Sequence, residues 1–297
     1  MISAPNAILN ALSADHRRVL SRWRALVYLR RASRQYPESE RRWSNVPQSP
    51  RDLDSLLRRM QNAGQIESLS HAPGCYAVMT PYALILPIRE EELLLETNPY
   101  AVLTHYTALV THGFTLDRPN VITAWAGEPG WALPIGTSEE EWRELDLPSI
   151  HRPRRVINQK MRWFNQYSDF SFGVITDYIG PIQVRITDPE RTLIDALQWP
   201  SYAGGIGNVI RAWDLAQGFV DINAIVDYAD RYGINLLRQR VGYIAELFGF
   251  THPRFNEWAS RAARGGSSRL VGSRPFGPDI SSRWNMSINA PVEAFMS

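Results

Sequence analysis

Ser49-Pro50-Arg51-Asp52-Leu53-Asp54-Ser55-Leu56-Leu57-Arg58-Arg59-Met60-Gln61-Asn62-Ala63-Gly64 decides how the first part of this chain folds. Ser49 is a helix cap and Pro50 suits the first turn, where its missing N–H costs nothing. Asp52 and Asp54 lie near the positive end of the helix, and Gly64 stops it. Leu53, Leu56, Leu57 and Met60 recur at i, i+3, i+4 and i+7, one stripe for a core. Arg51, Ser55, Arg58, Arg59 and Asn62 take the opposite face. Arg and Asn hydrogen-bond well to base edges, and a helix fits the major groove.

The surroundings of this helix extend the pattern. Ser21 to Ser33 carries Trp23, Leu26, Val27 and Leu29 among arginines and is expected to be an amphipathic helix. A short helix is expected at Glu38–Asn45. After Gly64, Gln65–Leu69 and Cys75–Met79 have strand composition. Ser70 and His71 lie at the tip between them, and His71-Ala72-Pro73-Gly74 supplies the turn. Helix, short helix, basic-faced helix and hairpin is the order of a winged helix-turn-helix. A small helical domain with solvated arginines is the alternative.

Charge supports the first reading. Residues 1–80 hold twelve basic and six acidic side chains, net +6, whereas residues 81–150 hold three and eleven, net −8. The total of +2 conceals that asymmetry, which points to a polyanionic partner for the basic part. Arg17, Arg18, Arg22 and Arg24 offer further phosphate contacts or a solvated face. The acidic stretch faces either water or a basic partner.

Bulk composition narrows the class. With 297 residues, 44% hydrophobic and 21% charged, the chain can fill two cores of a globular protein. No run approaches the ~20 apolar residues of a membrane helix; the richest, Tyr82–Ile88, contains Pro87. The N-terminus has no signal-peptide pattern, so a cytoplasmic location without a membrane partner is expected. Cys75 is the only cysteine, which excludes intramolecular disulfides and cysteine clusters. Lys160 is the only lysine among 32 basic residues, as GC-rich coding produces.

Beyond residue 84 a larger mixed domain is expected. Asn98 to Gly113 has the marks of a helix, with Asn98 as cap and Pro99 in the first position. Val121–Ala126, Arg154–Ile157, Phe172–Ile175 and Ile182–Ile186 are expected as strands. Residues 127–147 are expected as a loop with one helical turn near Glu139–Leu145. In Ile186-Thr187-Asp188-Pro189-Glu190-Arg191-Thr192-Leu193-Ile194-Asp195-Ala196-Leu197, a strand ends and a capped helix begins. Helices are then expected at 208–217, 221–232 and 236–248, and residues 265–276 as a loop or tail.

Chemistry is hard to find in this part. His105 and His112 share a helix face, but two histidines make a poor metal site. Gly204-Gly205-Ile206-Gly207 follows a helix rather than a strand, the wrong order for a dinucleotide site. Gly272-Ser273 resembles the start of a nucleotidyltransferase motif, yet only Asp279 follows to hold Mg²⁺. No G-x-S-x-G occurs, and Lys160 has no neighbouring acid for nuclease chemistry. The residues therefore suggest a protein with no catalytic residues, no cofactor and no metal. A DNA-directed nuclease or nucleotidyltransferase is the alternative.

The chain resembles the AbiEi-type antitoxins of abortive-infection, type IV toxin–antitoxin systems. Ser49–Val78, ending in Pro73-Gly74-Cys75-Tyr76-Ala77-Val78, resembles that family's recognition helix and wing. Tyr100–Phe114, with His112-Gly113-Phe114, resembles a second family segment. Ile186–Gly205 resembles its "DPERTLLD…GG" stretch. The resemblance covers most of residues 20 to 250. It implies an α+β protein with a winged helix-turn-helix at 1–84 and a C-terminal antitoxin domain at 85–297. It implies a repressor that binds double-stranded DNA at its own promoter and counteracts a nucleotidyltransferase-like toxin in phage defence. The positions that match DNA-facing ones are Arg51, Ser55, Arg58, Arg59 and Asn62, with Ser70 and His71 in the wing. Asp188, Glu190, Arg191 and Asp195 match the C-terminal motif, with a structural role.

Overall fold

The computed structural model describes residues 1–85, 87–165, 171–262 and 268–295. In chain order its elements are α1 (Ala4–Ala14), β1 (Val19–Ser21), α2 (Arg22–Gln35), α3 (Asp54–Asn62), β2 (Ile66–Ser68), β3 (Cys75–Val78), α4 (Pro81–Leu84) and α5 (Glu90–Thr97). Then follow β4 (Val102–Leu103), α6 (His105–Thr111), β5 (Val121–Trp125), α7 (Glu139–Trp142), β6 (Arg155–Val156), β7 (Gln159–Phe164), β8 (Val174–Ile179) and β9 (Ile182–Thr187). The last part holds α8 (Pro189–Gln198), α9 (Ile206–Leu215), α10 (Ile222–Tyr232), α11 (Asn235–Leu247), α12 (Pro253–Ser260), β10 (Ser268–Arg269), β11 (Ile280–Ser281) and β12 (Met286–Ser287). The fold is mixed α+β. Its sheets have the orders β1-β3-β2, β6-β7-β5-β4-β9-β8 and β10-β12-β11.

The chain divides into two compact units. The first comprises Met1–Val102, Ala126–Asn165 and Thr176–Arg185; the second comprises Leu103–Trp125, Gln166–Ile175 and Ile186–Ser297. The first unit takes in residues on both sides of position 84. Buried acids explain why the first unit runs past residue 84. Glu92 on α5 accepts from the backbone N–H of Arg18 (2.6 Å) and Val19 (2.9 Å). Glu96, one turn on, accepts from Arg17 (3.1 Å) and Arg24 (2.6 Å). Burial pushes the Glu92 carboxyl above its ordinary value, against the pull of those two backbone donors. Polar groups this deep must find partners, so α5 is fixed to the strand and helix that supply them.

In the first unit, α1, α2 and α3 surround one apolar cluster. Ile8 and Leu12 of α1, Leu26 and Tyr28 of α2, and Leu53, Leu56, Leu57 and Met60 meet there with Ile66, Tyr76 and Val78. Burying one such side chain contributes about 1.5–3 kcal/mol. β3 pairs antiparallel with β1 (Leu20↔Tyr76) on one side and with β2 (Glu67↔Ala77) on the other.

The second unit is organised around α8. Leu193, Ile194 and Leu197 enter a core with Val209, Ile210 and Trp213 of α9, Val241 and Ile244 of α11, and Phe255, Trp284 and Met286. In its three-stranded sheet, β12 pairs parallel with β10 and antiparallel with β11.

Several expected elements are altered. The short helix at Glu38–Asn45 is a single 3₁₀ turn, Glu38–Glu40, and the first helix of the chain is α1, which precedes the expected set. The region of Asn98–Gly113 is not one helix. Asn98 ends α5, and its side chain donates to the Ala126 carbonyl (2.6 Å) and accepts from Tyr100 N–H (3.1 Å). The chain then forms β4 and restarts as α6 with Thr104 at the cap. The segment at Pro81 forms a short helix, α4, which adds to the expected set. Strand β7 and helix α12 add to the expected set; part of the expected 265–276 loop lies outside the described residues. Helices α8 to α11 and strands β5, β6 and β9 lie where their patterning puts them.

Candidate nucleic-acid interface

The expected cap at Ser49 is built by Asp52. Its Oδ2 accepts from the backbone N–H of Gln48 (2.8 Å) and Ser49 (2.9 Å). These two donors hold the Asp52 carboxyl below the usual carboxylate range. Pro50–Leu53 is a 3₁₀ turn that runs directly into α3. At the far end Gly64 takes φ +67°, a left-handed conformation open to glycine, and Gln65 N–H returns to the Met60 carbonyl (2.9 Å).

Sequence periodicity separates the two faces as expected. Leu53, Leu56, Leu57 and Met60 are buried, while Arg51, Ser55, Arg58, Arg59 and Asn62 are all exposed. Among the described residues, no ion pair involves Arg51, Arg58 or Arg59. Gln61 Nε2 donates to Ser68 Oγ (2.8 Å) and so ties α3 to β2. The loop from β2 to β3 is closed by Leu69 N–H to Cys75 O (3.0 Å) and Cys75 N–H to Ala72 O (3.0 Å), with Ser70 and His71 exposed at its tip. Gly74 at φ +81° completes that turn.

The other basic residues near the N-terminus do different work. Arg17 and Arg24 are buried against Glu96, and Arg18 donates to the Pro87 carbonyl (3.1 Å). Arg22 pairs with Asp54 at 3.3 Å, and Arg31 with Glu141 at 2.7 Å. Arg17, Arg18 and Arg24 are thus buried in structural contacts, whereas Arg22 stays exposed at the surface. Part of the opposite charge of residues 1–80 and 81–150 is matched inside the first unit: Arg17 and Arg24 pair with buried Glu96, and Arg31 with buried Glu141. Arg51, Arg58 and Arg59 stay outside these pairs, as do Arg154, Arg155 and Lys160 at the hairpin β6–β7, among the described residues.

In the second unit, the charged motif of α8 is consumed by its own architecture. Asp188 caps α8 by accepting from Arg191 N–H (2.7 Å), and its other oxygen accepts from Tyr228 (2.7 Å). Glu190 accepts from Asp221 N–H (2.8 Å). Arg191 is buried between the rings of Trp125, Phe172 and Tyr232 and donates to Asp195 (2.7 Å) and the Phe172 carbonyl (2.9 Å). Tyr232 and Thr104 both donate to Asp195. His105 starts α6 at φ +46°, and His112 caps its end and donates to the Thr187 carbonyl (2.7 Å). Among the described residues, no group of three or more His, Cys, Asp or Glu is arranged to hold a metal ion, and no helix is long and apolar enough to cross a membrane.

The mixed α+β fold has a counterpart among solved structures. The chain is similar to the Rv2827c protein from Mycobacterium tuberculosis, with a TM-score of 0.53 and 14% sequence identity over 95% of this chain and 90% of that one. At that identity the likeness is one of fold alone. No protein-family profile and no curated protein matches the sequence.

Proposed function

We propose that the protein is a DNA-binding transcriptional repressor with a winged helix-turn-helix at its N-terminus, and that it acts as the antitoxin of a nucleotidyltransferase-like toxin. The observation that carries this reading is α3. Its apolar face is wholly buried, while the opposite face presents exposed Arg58, Arg59 and Asn62, and the turn that leads into it adds exposed Arg51; among the described residues none of these arginines takes part in an ion pair. Arg58 and Arg59 suit guanine O6 and N7, Asn62 suits adenine, and Arg51 and Ser55 suit phosphates. The element order α1-β1-α2-α3-β2-β3, with sheet order β1-β3-β2, supports the winged arrangement. In it α3 is the recognition helix, and the β2–β3 loop with Ser70 and His71 is the wing.

The regulatory reading rests on the resemblance of Ser49–Val78 and Ile186–Gly205 to the AbiEi-type antitoxins. It is supported by the fully engaged carboxylates of the α8 motif, which serve packing and capping.

Binding to a duplex from immediately upstream of its own gene tests the DNA reading. Arg58→Ala with Arg59→Ala should cost about 1–3 kcal/mol for each base the side chains read and leave the melting temperature unchanged. Equal affinity of wild type and variant would overturn the assignment. For the antitoxin part, co-expression with the product of the neighbouring gene should restore growth; failure to restore it would remove that part of the reading.

A further inference from the structure

Residues 147–165 contain His151, Arg152, Arg154, Arg155, Lys160 and Arg162 and no Asp or Glu. The hairpin β6–β7 gathers these cations. In its antiparallel register Arg155 stands directly opposite Lys160 and Val156 opposite Gln159. Like charges facing each other across a strand pair are unfavourable for the fold. Arg152, Arg154, Arg155, Lys160 and Arg162 are all exposed, and among the described residues Arg154, Arg155 and Lys160 take part in no ion pair. Lys160 and Arg162, two residues apart on β7, share a face with Arg155.

The hairpin is a firm platform for these charges. Val156 is buried, Trp163 Nε1 donates to the Pro153 carbonyl (2.9 Å), and Met161 N–H donates to the Arg154 carbonyl (3.0 Å). Its approach is also next to α3. A cavity of about 480 Å³ is bordered by Pro50 ahead of α3, by Pro73 and Gly74 of the β2–β3 loop, and by Ser149 and His151 leading into the hairpin. His151 N–H is fixed to the Thr97 carbonyl (3.1 Å).

We infer that the β6–β7 hairpin is a second nucleic-acid contact, which grips the phosphate backbone of the duplex whose bases α3 addresses. The inference rests on the DNA-binding reading of α3 and extends it. The hairpin contributes affinity without sequence preference, because ammonium and guanidinium groups on a strand meet phosphates rather than base edges.

The test measures binding of the full chain to two duplexes across a range of salt concentrations: one from upstream of its own gene, one of shuffled sequence. Arg154→Ala/Arg155→Ala/Lys160→Ala should weaken both duplexes by a similar factor. It should also lower the slope of log affinity against log salt by roughly 0.9 for each phosphate that the variant no longer neutralises. Lys160→Glu places an acid opposite Arg155. It should melt at or above the wild-type temperature yet bind both duplexes less well, which separates phosphate binding from folding. Wild-type affinity and slope in these variants, with binding by the parent chain intact, would overturn the hairpin's role alone. Weaker binding to a structured RNA with both duplexes unaffected would overturn it in favour of RNA. Absence of duplex binding by the parent chain would remove the α3 reading and the hairpin inference together.

Discussion

Arg24 and Glu96 meet at 2.6 Å with both side chains closed off from water. Arg17 reaches the same Glu96 oxygen at 3.1 Å, and Ser21 donates to the other. This cluster joins the basic start of the chain to its acidic middle. It absorbs part of a charge asymmetry that, from sequence, pointed outward to a partner. Arg51, Arg58 and Arg59 and the cations Arg154, Arg155 and Lys160 of β6–β7 are among those that form no ion pair, among the described residues.

Removing Glu96 leaves Arg24 buried without its counter-ion. Breaking a buried pair costs about 3–5 kcal/mol. Glu96→Ala is expected to lower stability by that order, read from denaturant midpoints at unchanged slope. A loss below ~1 kcal/mol would mean that water replaces the carboxylate, contrary to the packing around it.

Asp52 makes the start of α3 sensitive to acid. Two backbone N–H donors hold its folded-state pKa below that of the unfolded chain. Its stabilising contribution is therefore complete above the unfolded value of about 3.9 and is lost as pH falls through the lower, folded value. Carboxyl and amide NMR titrations of Asp52, Gln48 and Ser49 should share one midpoint below that of a model peptide. Asp52→Asn should remove this transition.

Gly242 carries a steric prediction. A glycine inside a helix is ordinarily about 1 kcal/mol worse than alanine. Here a Cβ at position 242 would collide with Cη2 of Trp284, whose side chain is buried. Gly242→Ala on α11 should therefore destabilise rather than stabilise, because the indole cannot yield without opening the core. Tryptophan fluorescence and a thermal melt would register the displacement; a raised melting temperature would contradict it.

In the second unit, Arg191→Met should destabilise by about 3–5 kcal/mol, because Asp195 keeps its burial without a guanidinium partner. Arg191→Lys should recover little of this loss. A lysine has no planar fork to donate to Asp195 and to the Phe172 carbonyl while stacking on three rings. Recovery to wild-type stability would show that charge alone suffices.

Local signals are legible in the chain itself. The stripe Leu53, Leu56, Leu57 and Met60, the turn at Pro73-Gly74, and the Asp188-Pro189 helix start each obey a rule spanning a few residues. All three lie where that rule puts them. Asn98-Pro99 misleads because the same dipeptide suits a helix start and a turn. The long-range bond from Asn98 to Ala126 selects the turn. Lys160-Met161-Arg162-Trp163 has the alternation of a strand, but the hairpin that it forms with Arg155-Val156 lacks a turn marker such as Asn-Gly.

Which faces of α3 and α8 are apolar, where α8 begins, and the basic character of residues 1–80 can be read from the chain alone. Those properties depend on neighbours three or four positions apart. Only the tertiary structure decided which arginines are free. Arg17 and Arg58 are both arginines of the basic first 80 residues. Arg17 becomes a buried partner of a carboxylate 79 positions away, while Arg58 stays exposed without an ion pair among the described residues. Charge is additive along a chain, but its availability depends on burial and pairing, and these are fixed by neighbours distant in sequence.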